Sequence, residues 1–210
     1  MDILVACEFT GMVRNAFLAL GHNAWSCDLR ASEDNSNRHF VDDVRNHLDK
    51  GWDMLMVAHP PCTRLCNSGV RWLHTPPPGR TKEEMWDELD EGAELFSDCW
   101  NADIDKVAIE NPIMHKYAKE RIVNFEKSKQ TVQPWHFGDP QFKGIGLWLR
   151  NLPKLVETNR LVPPRPYTKE HRAWSKVHNA SPSPDRAMER SRFFPGVADA
   201  MAQQWGGLVT

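Results

Sequence analysis

Apolar and polar positions recur along this chain with two periods, and the switches between them mark strand, turn and helix units. Residues 3–9 are mostly apolar, Glu8-Phe9-Thr10-Gly11 makes a tight turn, and Val13, Ala16, Phe17 and Leu20 follow at helical spacing up to a stop at Gly21. A second strand is predicted over 22–29, ending in Asp28, then a polar loop over 31–38 and a short helix over 41–48. The next apolar run, Met54 to Ala58, passes through two prolines into a polar loop that closes at Gly69. A buried strand delivers a reactive side chain to the edge of a parallel sheet in this way, and Cys62 stands first in the loop. It reads either as a nucleophile or as a buried structural thiol.

Beyond Gly69 the segment HTPPPGRTKEE is too rich in proline for regular structure and suits a lid or a crossing of the site's rim. Thr81 and Glu84 have capping-box spacing, and Met85, Trp86, Leu89, Ala93, Phe96, Cys99 and Trp100 then line one stripe of a long helix. Its outer face, with Asp87, Glu88, Asp90, Glu91 and Glu94, reads as solubilising charge. Lys106 to Glu110 is another short strand ending in a carboxylate, before Asn111-Pro112. Residues 115–129 mix helix and loop. A strand over 131–137 is broken by Pro134 and is therefore an edge, with Leu147-Trp148-Leu149 pairing across a hairpin. Residues 162–192, rich in Pro, Ser, Arg, Lys and His, are predicted as loop, and Val197, Ala200, Met201 and Trp205 as a final amphipathic helix that packs on the sheet. The fold class that results is α/β, a Rossmann-like sheet with helices on both faces, in one compact domain over residues 1–210 with a basic, loop-rich segment at about 160–192.

Composition narrows this picture. No run of about 18 apolar residues and no signal sequence is present, so the expectation is a soluble, cytoplasmic protein. The five cysteines are odd in number and lack a disulfide spacing, which favours reduced thiols. His59, Cys62 and Cys66 lie close together, but no fourth ligand or paired half-site accompanies them, so no metal is expected. Charge is uneven: residues 1–105 hold 9 Lys/Arg and 19 Asp/Glu, residues 106–210 hold 17 and 9. The basic half reads as a surface for nucleotides or nucleic acid, or as charge that merely balances the acidic half. Arg14, Arg71, His171 and Arg172 are candidates for phosphate or base contacts or are ordinary solvated side chains. Asp28 suits the ribose of an adenosine cofactor, or is a plain strand-end acid. A thiol on one strand-end loop and a carboxyl on a neighbouring strand end suit covalent attack on an electron-poor ring such as pyrimidine C6.

These residues carry a resemblance. Pro61-Cys62 within HPPC and Glu110-Asn111 within AIENP match in kind and order the Pro-Cys and Glu-Asn motifs of the cytosine-C5 DNA methyltransferases, and more closely the chain resembles small phage- and prophage-encoded proteins of that type. The resemblance covers roughly residues 3–112, more loosely the last helix. It implies S-adenosylmethionine as cofactor, held by Cys7, Glu8, Phe9, Thr10 and Gly11, a reduced form of the family's glycine-rich loop, with Asp28 and Pro60. It implies Cys62, Glu110 and Asn111 as catalytic residues, and Pro61, Ser68, Arg71 and Arg172 on the substrate side. The expected activity is methylation of cytosine C5 in DNA. The chain departs from the family at Thr63, where Gln is usual, and at Gln133-Pro134-Trp135-His136, where a Gln-x-Arg-x-Arg strand is usual. The stretch 142–192 is also short for a target-recognition region, which keeps two alternatives open: a free deoxycytidine nucleotide as substrate, or a non-catalytic nucleotide- or protein-binding module. Another cysteine-dependent pyrimidine modification, without this cofactor, is the third.

Overall fold

A computed structural model describes residues 1–58, 60, 62–175 and 192–208. Seven strands, β1 (Asp2–Ala6), β2 (Asn23–Asp28), β3 (His39–Val41), β4 (Met54–Val57), β5 (Lys106–Asn111), β6 (Gln130–Val132) and β7 (Ile145–Arg150), form one sheet in the order β3-β2-β1-β4-β5-β7-β6. The first five are parallel; β7 runs antiparallel between β5 and β6. The α/β, Rossmann-like class expected from the sequence is the one observed.

Strand alternation explains why the central strands read as unbroken apolar runs. Ile3, Val5, Met54, Met56 and Ala108 face a core completed by the helices α1 (Met12–Ala19) and α5 (Pro195–Trp205). Leu4, Ala6, Leu55, Val57, Val107 and Ile109 face the opposite core, under α2 (Lys82–Asn101) and α3 (Lys116–Arg121). With both faces covered, β1, β4 and β5 carry apolar residues between their ends. Each fully buried Leu or Ile contributes about 1.5–3 kcal/mol, so the two cores supply the main driving force. Trp205 anchors α5, fully buried and donating its indole N–H to the Pro153 carbonyl at 3.0 Å.

The predicted capping box is present: the Thr81 hydroxyl accepts from the Glu84 N–H at 3.2 Å, and Glu84 accepts from the Thr81 N–H at 2.8 Å. Thr81→Ala is expected to lower stability by about 1 kcal/mol, measured by urea denaturation at constant m-value; an unchanged midpoint would show that α2 is held by packing alone.

Several expectations are corrected. The predicted helix over 41–48 is the short edge strand β3 followed by a 3₁₀ turn at Val44–His47. The strand predicted over 131–137 stops at Val132, and Pro134–His136 form a 3₁₀ turn, because Pro134 cannot donate to a ladder. The predicted loop after Val162 contains a fourth helix, α4 (Lys169–Trp174), capped by Thr168 on the His171 N–H at 3.1 Å. The rest of that loop, 176–191, lies outside the described residues. Among the described residues, no helix is long and apolar enough to cross a membrane.

Candidate active site

Register decides which residues meet. Ala6 pairs with Cys27 on one side and Val57 on the other, and Val57 pairs with Ile109. Cys7, Asp28, Ala58 and Glu110 therefore leave the sheet in one row at the carboxyl ends of its parallel strands. Between β1 and β4 the chain's direction of travel across the sheet reverses, which opens a crevice for a ligand.

The turn after β1 is tight because of two backbone positions in the left-handed region, Cys7 (φ 54°) and Gly11 (φ 70°). Turning at Cys7 aims Glu8 beneath α1, where its two carboxylate oxygens accept the N–H groups of Val13 (2.6 Å) and Arg14 (3.1 Å). Burial raises the Glu8 carboxyl to about 7 against the pull of those donors. The Glu8 carboxylate is thus engaged by the helix and shapes the turn. Arg14, read as an exposed phosphate contact or solvated side chain, is fully buried. It bonds Ser26 Oγ at 2.7 Å and pairs with Asp34. Burial pushes Asp34 up, but bonds from Ser32, Asn15 and Arg14 outweigh it and hold the carboxyl well below its usual range. At Gly11 the left-handed backbone already disfavours a side chain, and an added Cβ would lie 2.2 Å from an Arg14 guanidinium nitrogen and displace it. Phe9 is buried, with the Arg30 guanidinium 5.5 Å from its ring centroid, and the Thr10 hydroxyl accepts from the Met12 N–H at 3.4 Å. Asp28 is half-buried, accepts the Arg30 N–H at 2.9 Å, and is raised by burial.

The loop after β4 starts with the Ala58 N–H donating to the Ala6 carbonyl at 2.9 Å, then the buried Pro60; His59 and Pro61 lie outside the described residues. Cys62 is half-buried and opens a single turn in which its carbonyl accepts from Leu65 and Cys66, both at 3.0 Å. Gly69 closes it, where a Cβ would lie 1.8 Å from the Thr63 carbonyl oxygen. This loop is stitched to the segment after β5. Asn67 N–H donates to the Ile113 carbonyl (3.0 Å), His115 N–H to the Leu65 carbonyl (3.1 Å), and Cys66 and Met114 form an antiparallel bridge. Arg64 fastens the loop to α2 through Glu88 at 2.6 Å. Part of the helix face read as solubilising charge therefore holds the loop in place.

The Cys62 and Cys66 thiols lie close enough to act on each other, and no disulfide joins them. Cys66 also lies 3.0 Å from Ser68 Oγ. Cys62, with the bonds from Ser68 and Gly69, lowers Cys66 to about 5; Cys66, burial and the nearby Glu110 hold Cys62 up.

At the end of β5, Glu110 and Asn111 are buried. Glu110 Oε1 and both polar side-chain atoms of Asn111 have no hydrogen-bond partner among the described residues. Such atoms at a crevice are what a ligand satisfies. Strand alternation sends the two side chains to opposite sides of the sheet. Burial raises the Glu110 carboxyl, and the Lys143 ammonium, 3.9 Å away, opposes that. Lys143, on the β6–β7 connection, escaped the sequence reading.

Of the substrate-side candidates, Ser68 contacts Cys66, Arg71 is exposed and stacks over Trp72 at 4.1 Å, and Arg172 lies exposed on α4. None of these contacts joins them to Glu110. Among the described residues, no group of three His, Cys, Asp or Glu is placed to hold a metal ion.

No protein-family model matches the chain, and no curated protein matches it. Two solved structures are similar to it. One is described as a candidate DNA modification methyltransferase encoded within an E. coli prophage; it has 13% identity and a TM-score of 0.45, over 71% of this chain and 46% of that one. The other is the Entamoeba histolytica methyltransferase EhMeth, with 13% identity and a TM-score of 0.49, over 77% of this chain and 57% of that one. The chain spans about half the length of these proteins.

Proposed function

We propose that the chain is an S-adenosylmethionine-dependent methyltransferase that acts on cytosine C5 in DNA. The observation that carries this reading is the buried Glu110 carboxyl, whose Oε1 has no hydrogen-bond partner among the described residues, at the carboxyl edge of the parallel sheet that also carries the Cys62 loop.

The residues at the first turn fit the cofactor by their chemistry. Asp28 offers a half-buried carboxylate for ribose hydroxyls, next to a turn held open by Gly11 and the buried Arg14. Cys7, Phe9, Thr10 and Pro60 complete the lining on this reading. When bound, S-adenosylmethionine supplies an electrophilic methyl group.

On the substrate, the Cys62 sulfur forms a bond to cytosine C6, and Glu110 gives its proton to N3 as the ring's electrons shift toward C5. Burial raises the Glu110 carboxyl toward its protonated form, and a neutral Glu110 also removes its repulsion of the Cys62 thiolate. Cys62 reacts as its thiolate, its proton leaving to water as the sulfur adds. After C5 is methylated, water takes the C5 proton, the electron pair left behind forms the C5–C6 double bond and expels Cys62 as its thiolate, and N3 returns its proton to Glu110. Asn111, buried at the end of the same strand with both side-chain polar atoms lacking a partner among the described residues, offers a further donor and acceptor to the site.

Incubation with S-adenosylmethionine and duplex DNA, single strands, dCMP or dCTP, followed by mass analysis, tests this reading. The expected product is 5-methylcytosine in a DNA strand. Methylation of dCMP or dCTP alone would redirect the activity to free nucleotides. Binding of cofactor or nucleotide without transfer to any substrate would make the chain a binding module.

A further inference from the structure

The cation beside Glu110 comes from neither motif. Lys143 sits in the β6–β7 connection with Nζ 3.9 Å from Glu110 Oε1 and a side chain only 13% exposed. Its position is fixed from three sides. Its N–H donates to Gln133 Oε1 at 3.1 Å, its ammonium lies 5.6 Å from the Phe194 ring centroid, and the neighbouring Phe142 N–H donates to the Trp174 carbonyl of α4 at 2.9 Å. A gap of 3.9 Å is too long for a hydrogen bond but short for two charges shielded from water. The lysine therefore acts on the carboxyl by its field and leaves Oε1 open.

We propose that Lys143 is a positioning residue for Glu110, a fixed positive charge that keeps a buried carboxyl able to release its proton while the substrate, not the lysine, hydrogen-bonds to it. This deepens the reading above and rests on it for the proton's destination. Three neighbouring groups act on that carboxyl. Lys143 favours its ionised form, whereas the Cys66 and Cys62 thiols, if ionised, disfavour it, as does burial. Without the lysine, the influences that remain among the described residues retain the proton. An acid that binds its proton too tightly delivers it poorly in the transition state.

The sign of the effect follows. Activity that needs protonated Glu110 is lost as pH rises through that group's pKa, and removing a nearby positive charge raises the pKa. Lys143→Met is expected to lower kcat about 10- to 100-fold and to move the alkaline limb of the kcat profile to higher pH. Lys143→Arg, which keeps the charge, is expected to restore both. The same shift is read without turnover by ¹³C NMR of protein labelled at the glutamate carboxyl carbons, with the Glu110 signal assigned by its loss in Glu110→Gln. Its titration should move up in Lys143→Met and stay in place in Lys143→Arg. Lys143→Gln serves where the methionine variant does not fold. A Glu110 titration that stays in place in Lys143→Met or Lys143→Gln overturns the proposal, as does a defect confined to KM with the limb unmoved. A titration that moves, in a protein that methylates no substrate, supports the charge coupling and removes the functional reading instead.

Discussion

Cys62→Ala is expected to abolish methyl transfer, by at least about 10⁴-fold, while cofactor affinity changes little. The thiol is half-buried on a loop whose shape depends on Gly69, on Arg64–Glu88 and on the bonds to Ile113 and Leu65, none of which involves the Cys62 side chain. The variant should therefore fold. Labelled methyl incorporation measures the loss, and calorimetric titration with S-adenosylmethionine measures the binding. Wild-type turnover in Cys62→Ala would end the nucleophile assignment. Cys66→Ala separates the two thiols: Cys62 alone forms the bond to C6, so removal of Cys66 should slow the reaction rather than stop it.

The second large effect is on stability. Arg14→Leu is expected to cost about 2–4 kcal/mol, toward the low side of what breaking a buried ion pair costs, because Asp34 keeps contact with water. Arg14 is wholly buried, its guanidinium bonds Ser26 and Asp34, and it fills the space that a Cβ at Gly11 would need. Its loss leaves those groups short of a donor beneath the first turn. Urea denaturation reads the loss directly, and weaker S-adenosylmethionine binding should accompany it. A change within about 0.5 kcal/mol would mean that Arg14 is no more than a surface-like residue.

How much of this was legible in the chain follows from where each determinant lies. The apolar runs at β1, β4 and β5 were readable because both faces of those strands are covered, and the α2 boundary because its cap is local. The helical stripe that marked α1 named Leu20, which is 50% exposed, and passed over Arg14, which is fully buried. A charged residue is placed inside only by partners, and Ser26, Ser32 and Asp34 lie 12–20 positions away. Strand β3 has three residues at a sheet edge, too few for a pattern. Helix α4 sits among prolines and basic residues, and its docking rests on Phe142, Trp174 and His171. At the site, Cys62 and Glu110 stood out because their motifs are contiguous. Lys143 did not, since 33 positions separate it from Glu110 and only the antiparallel return of β7 brings them together.

The antiparallel bridge between Cys66 and Met114, with its flanking bonds from Asn67 and His115, makes the loops after β4 and β5 a single fused lip. Neither loop can swing without breaking the other's hydrogen bonds. The thiol-bearing segment and the chain leaving Glu110 therefore keep their spacing before any substrate arrives. The entropic cost of bringing them together is met during folding rather than at each turnover. Whatever opens and closes over this crevice has to be a different part of the chain.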